Sequence, residues 1–292
     1  MEITEERMRI RVKKRKEMWL IAFVFMLALY TYPVHSFYAL PQPEEEQYTG
    51  QLPEFSIYRL LKIALQPVGK TMYIWGGGWN EEDTAAGIEA VSLGLSPNWE
   101  KYSQKQNRHY DYTATRYQIH DGLDCSGYVG WVIYNLLHTI DGIEGEGYVM
   151  KARKMAKTFA EKGWGEYIPA GKIKDYKAGD IMSSKTHVYL VIGTCEDGSI
   201  VVAHASPPGV QINGTVCRNG SRNSQAAELA DYYMNKYYPQ WYAKYKPEVK
   251  EISYLTNYHQ MRWHTEDNFW LKDEEGLRNM KADQVLQKIL GE

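Results

Sequence analysis

The residues best placed to do chemistry lie in Asp124-Cys125-Ser126-Gly127, at the start of the apolar helical segment that runs on through Val129, Val132, Ile133, Leu136 and Leu137. A cysteine in the first turn behind an N-capping aspartate meets unpaired backbone N–H groups. These lower a thiol pKa and can stabilise an oxyanion. Small residues at 126 and 127 let a substrate carbonyl approach the backbone. His187 opens a strand-like HVYLVIG, and His204 lies in the next strand-like segment, VVAHAS. Two adjacent antiparallel strands would put these imidazoles side by side. His187 would then be a general base for the thiol, and His204 would hold its ring in the needed tautomer. A buried structural cysteine and two ordinary histidines remain the competing reading of the same residues.

These side chains need a helix packed on a sheet, and the hydrophobic pattern supplies both. Ile57, Leu60, Leu61, Ala64, Leu65 and Val68 recur at helical spacing and stop at Gly69. TMYIWGGGWN reads as a short strand entering three glycines, and residues 79–121 as a long polar excursion. A helix, VMKARKMAKTFAEKG, ends at Gly163. From Ala178 the period changes: DIMSS, THVYLVIG and SIVVAHAS are β-branched strands separated by Gly/Asp turns. Residues 222–246 are Tyr-rich and helix-compatible, YHQMRW is strand-like, and ADQVLQKIL suggests a last helix. The aromatic run 231–245 suits either a packed core or stacking on sugar rings. No fixed-period repeat, phosphate loop, His-Glu-x-x-His or zinc-type cysteine spacing occurs.

Charge and composition narrow the setting. The chain of 292 residues carries a formal net charge of −2, with 24 Tyr and 9 Trp but only 6 Phe. Residues 1–17 hold seven Lys/Arg and four Asp/Glu, so the rest of the chain is acidic, at a net −5. An acidic body without a basic stripe argues against nucleic acid. The basic start leads into Met18–Tyr32, an apolar run short of the roughly 20 residues that span a bilayer. Residues 1–36 therefore read as a secretory signal, with Val34-His35-Ser36 as the cleavage site, or as an uncleaved anchor through residues 18–32. Residues 37–54, rich in Pro, Glu and Gln, read as a linker before one domain, 55–292. Of the three cysteines, Cys195 and Cys217 are close enough in sequence to form a disulfide, which would leave Cys125 free.

Four ordered elements resemble the NlpC-type family of bacterial cell-wall cysteine peptidases. They are Tyr73-Ile74-Trp75-Gly76-Gly77; Asp124-Cys125-Ser126-Gly127; Gly179-Asp180 followed by His187-Val188; and Ala203-His204-Ala205. The likeness spans roughly residues 60–215. It implies an α+β, papain-like fold. It also implies catalytic Cys125, His187 and His204, with Tyr73, Asp124 and Ser126 toward substrate and no metal or other cofactor. The implied activity is hydrolysis of peptidoglycan stem peptides at the D-γ-glutamyl–diamino acid bond, through a thioester acyl-enzyme, in the secreted or envelope compartment. A related amidase, a transferase using an amine acceptor, and a non-catalytic envelope-binding protein are the alternatives. Two features depart from the family pattern: the 79–121 insertion and an extension past about residue 217.

Overall fold

A computed structural model describes residues 55–138 and 147–291. The expected signal or anchor, 1–36, and the linker, 37–54, lie outside the described residues. The fold is mixed α+β: an eight-stranded sheet flanked by helices.

Helix α1, Ile57–Leu65, buries Ile57, Leu60, Leu61, Ala64 and Leu65, and Ser56 caps it by accepting from the Arg59 amide at 3.1 Å. Strand β1, Met72–Tyr73, pairs in parallel with β2, Gly122–Leu123. Helix α2, Pro97–Lys105, lies between them in the chain. Helix α3, Cys125–Leu137, follows β2 at once and is buried along nearly its whole length. Helix α4, Ala152–Glu161, turns Met155, Ala156 and Phe159 inward. The remaining strands are β3 (Gly165–Ile168), β4 (Ile181–Ser183), β5 (Val188–Thr194), β6 (Ile200–Ser206), β7 (Gly209–Gly214) and β8 (His259–Trp263), in the sheet order β2-β1-β7-β6-β5-β4-β8-β3. Every pairing other than β1 with β2 is antiparallel.

Helix α3 packs on β5 and β6 from one side. The other face is covered by a second apolar cluster that includes Tyr176, Met182, Tyr189, Val191, Val202 and Tyr258. Strands buried on both faces explain why β5 and β6 read as nearly unbroken apolar runs.

Both departures from the family pattern are built into this body. In the insertion, the Tyr110 hydroxyl donates to the Tyr73 carbonyl at 2.7 Å, Trp99 meets Trp131 edge-on at 5.8 Å, and Asn135 accepts from the Gly94 amide at 2.7 Å. The extension supplies helices α5 (Gln225–Tyr237), α6 (Pro239–Tyr242) and α7 (Ser253–Thr256), then β8, and finally α8 (Ala282–Leu290). The aromatic run 231–245 divides: Tyr233, Trp241 and Tyr245 are buried, and Trp241 donates to buried Gln211 at 3.2 Å, whereas Tyr232 is exposed.

The expected disulfide is absent, and Cys125, Cys195 and Cys217 are all free. The Cys217 thiol instead donates to Asp197, in the turn between β5 and β6, at 3.2 Å, while Cys195 lines a hollow against α5 and α8.

Strand β8 sits between β4 and β3, and β3 has no other partner in the sheet order. A chain ending at Lys250 leaves β3 without a partner, strips β4 of one of its two neighbours, and removes Trp263 and Met261 from the core. It is expected to lose its cooperative unfolding transition and near-ultraviolet dichroism. An intact transition would mean that residues 251–292 are an appendage.

Candidate active site

The start of α3 is fixed by a contact that tolerates no side chain. The Gly76-Gly77-Gly78 turn presses onto the first turn of α3, and the Gly77 carbonyl accepts from the Asp124 amide at 2.9 Å. A β-carbon on Gly127 would lie 2.0 Å from the Gly77 oxygen, and one on Gly77 would lie 2.4 Å from the Gly122 oxygen. Neither is physically available, so the two glycine-bearing motifs are one interlocked feature. Asp124 caps the helix by accepting from the Gly127 amide at 2.7 Å, and the Ser126 hydroxyl donates to the same carboxyl at 2.8 Å. Trp79 donates in turn to Ser126 at 3.1 Å.

The two histidines meet as the strand register requires. His187, just before β5, and His204 in β6 join through His187 Nε2 and His204 Nδ1 at 2.8 Å. His204 Nε2 lies 2.9 Å from the Asn213 carbonyl oxygen in β7, and the Asn213 amide donates to the Glu248 carbonyl at 2.9 Å. The Asn213 oxygen can only accept, so His204 carries its proton on Nε2 and Nδ1 accepts from His187 Nε2–H. That tautomer leaves His187 Nδ1 as the lone-pair nitrogen. The Cys125 sulfur reaches the Thr186 carbonyl at 4.0 Å, which puts it against the backbone that carries His187. Tyr254 and Tyr258, from α7 and the turn after it, stand over the base with ring centroids 5.8 and 6.3 Å from His187.

Desolvation dominates the electrostatics. Burial, with the Asp124 charge adding to it, pushes the Cys125 thiol up to about 12, against the pull of the Val188 and Ser126 amides. The depressed thiol pKa expected from the helix start is thus corrected: Cys125 is 7% exposed, and loss of hydration outweighs the dipole. Burial brings His187 down to about 3 and His204 well below its ordinary value, with the Lys250 charge acting in the same direction on both. Burial raises Asp124 to about 6 despite its hydrogen bonds. At neutral pH the resting site is therefore an uncharged thiol beside an uncharged imidazole.

Cys125 opens onto a cleft of about 270 Å³. Its lining includes Tyr73, Trp75 and Trp79 and three cations, Lys151, Arg153 and Lys185. Tyr73, Asp124 and Ser126 all reach this cleft, as the sequence suggests. Asp124 and Ser126 spend most of their hydrogen-bonding capacity inside the protein. Tyr73 is nearly buried, edge-on to Tyr112 at 5.5 Å, and burial and the neighbouring Cys125 and Asp124 raise its phenol pKa. Sequence reasoning missed Asn213, Tyr254 and Tyr258. The available signal for Asn213 was the alternation of polar Gln211 and Asn213 with Val210 and Ile212 in the strand that follows the His204 strand. Among the described residues no cluster of His, Cys, Asp and Glu could hold a metal ion. Comparisons with family models, curated proteins and solved structures find no match to this chain.

Two measurements check this geometry. Gly127→Ala is expected to cost about 1–3 kcal/mol or more in urea unfolding, because the added methyl has only backbone to displace. Between pH 6.5, the ordinary histidine value, and about 3, the unfolded chain binds a proton that folded His187 refuses. Its contribution to stability is therefore complete above about pH 6.5 and lost as pH falls toward 3. The drop in urea midpoint from about pH 7 to about pH 4 should be smaller in His187→Gln than in wild type. An equal drop would place the His187 pKa near its ordinary value.

Proposed function

We propose that this chain is an exported cysteine peptidase of the NlpC, papain-like type, which hydrolyses peptidoglycan stem peptides. The observation that carries the reading is the hydrogen-bonded series from His187 through His204 to Asn213, with the Cys125 sulfur 4.0 Å from the Thr186 carbonyl, one residue before His187. A structural cysteine with two incidental histidines needs no such ordered tautomer.

In this mechanism His187 Nδ1 takes the thiol proton as the sulfur attacks the scissile carbonyl. With both groups neutral at rest, proton transfer accompanies attack rather than preceding it. The imidazolium that forms is stabilised by His204 Nδ1, which accepts from His187 Nε2–H, and His204 is held in that tautomer by Asn213. The amides at the start of α3 are the donors nearest the developing oxyanion. His187 then delivers the proton to the leaving amine. The acyl group remains as a thioester on Cys125, and a water molecule, deprotonated by the same nitrogen, releases it. The chemistry calls for no metal or other cofactor. Tyr254 and Tyr258 shield the base from bulk water, which keeps these interactions strong. The bond the sequence resemblance suggests is that between D-γ-glutamate and the diamino acid.

Digestion of purified peptidoglycan, with mass spectrometry of the soluble products, tests this. Wild type should release fragments cut within the stem, and Cys125→Ala should release none while keeping the wild-type melting profile. His187→Ala should lose activity by about 10²–10⁴-fold, the usual worth of a general base, and His204→Ala by less. Release of whole stems from muramic acid would establish an amidase instead. Near wild-type turnover by Cys125→Ala would sink the mechanism.

A further inference from the structure

The cleft beside Cys125 is electrically lopsided. Besides the aromatic Tyr73, Trp75 and Trp79, its lining includes Lys151 and Arg153 at the start of α4 and Lys185 in the turn before His187. All three cations are exposed at the mouth, and among the described residues none has a carboxylate within ion-pair reach. Elsewhere the basic residues of α4 behave ordinarily: Lys157 pairs with Glu161 one turn on. The acids in the cleft do not balance these cations. Asp124 is turned into the protein by the Gly127 amide and the Ser126 hydroxyl, which leaves Asp83 as the other carboxylate of the lining. The start of α4 adds to the same sign. Its N-cap residue, Lys151, makes no side-chain capping bond, its first turn has no acid, and Ala152 lines the cleft.

We propose that Lys151, Arg153 and Lys185 read a substrate carboxylate beside the scissile amide, so that the cleft selects acidic over amidated peptides. The proposal rests on the peptidase reading and supplies its specificity. Chemistry says where such a carboxylate arises. A glutamate linked through its γ-carbonyl keeps its α-carboxylate free, a short chain away from the bond that breaks. Amidation of that group gives a neutral isostere of nearly the same size. A second anion, the C-terminal carboxylate of the stem, has the same chemistry at the other end.

Three synthetic stem peptides separate these sources: one with both carboxylates free, one with the glutamate α-carboxylate amidated, and one with only the C-terminus amidated. Wild type should show kcat/KM about ten- to a hundredfold lower on the α-amide than on the free acid, and little change on the C-terminal amide. Arg153→Ala/Lys185→Ala should bring the acid-to-amide ratio close to one. Arg153→Lys/Lys185→Arg should restore the preference, which a merely structural role for these residues would not do. Added salt should erode the wild-type ratio. Equal turnover of acid and α-amide overturns the proposal, as does a penalty confined to the C-terminal amide. If no peptide is cleaved, the peptidase reading fails, and calorimetry of the same peptides on Cys125→Ala decides the role of the cations by itself. Tighter binding of the free acid upholds it, and equal or absent binding rejects it.

Discussion

The Gly77 carbonyl lies against Gly127 so closely that no side chain fits at 127, and Gly77 itself is pressed onto the Gly122 carbonyl so that none fits at 77. This packing sets where the Cys125 helix begins and which way its first turn points. The other features of the site are arranged around it. The Asp124 amide is spoken for by the same turn, Ser126 is held between Trp79 and Asp124, and the cleft opens in the one direction left uncovered. Across that opening, the sheet brings the base. His187 and His204 meet because β5 and β6 are antiparallel neighbours, and Asn213 meets His204 because β7 is the next strand along. The relay is thus a property of strand order. Two independent constraints, one backbone-on-backbone and one of register, converge on a single sulfur.

Burial gives the site its chemical character. A thiol at a helix start is expected to ionise easily, yet here the cost of a buried charge beside Asp124 exceeds the help from the dipole. The same desolvation keeps His187 from being protonated. The two effects reinforce each other, since each group is neutral where an ion pair would otherwise form. A neutral thiol is a weak nucleophile. In the proposed peptidase it becomes a strong one only as a substrate carbonyl develops charge that the helix amides can hold.

The parts of this arrangement that were legible in the sequence are those where one residue type at one point in an element has one good reason to be there. Cys125 behind Asp124, histidine at the mouth of one strand and in the middle of the next, and glycines before and after the cysteine are of this kind. The helical spacing of α1 and the β-branched apolar runs of β5 and β6 fall in the same class, because local pattern reports burial directly. What escaped notice depended on pieces distant in sequence. Tyr254 and Tyr258 lie in a stretch with no periodic signal, and only the tertiary fold carries them over His187. The apparent extension after residue 217 and the apparent insertion at 79–121 carried no sign that one completes the sheet and the other braces α3. Thiol acidity was misjudged for a related reason: the helix start is a local feature, whereas dehydration is a sum over the surrounding fold. The Cys195–Cys217 bridge that nearness along the chain allows is not formed, since side-chain direction does not follow from nearness.

The position of β8 carries a further consequence, in the order of events at birth. The strand that completes the sheet, and the tyrosines that close over the base, come from the last fifth of the chain, whereas the nucleophile comes from the middle. A ribosome delivers the thiol well before it delivers the strand and the tyrosines that surround it. Until residues 254–263 are available, β3 and β4 lack their shared partner and His187 lacks its tyrosine cover. The surroundings that keep both groups neutral are therefore completed only after both groups have been made.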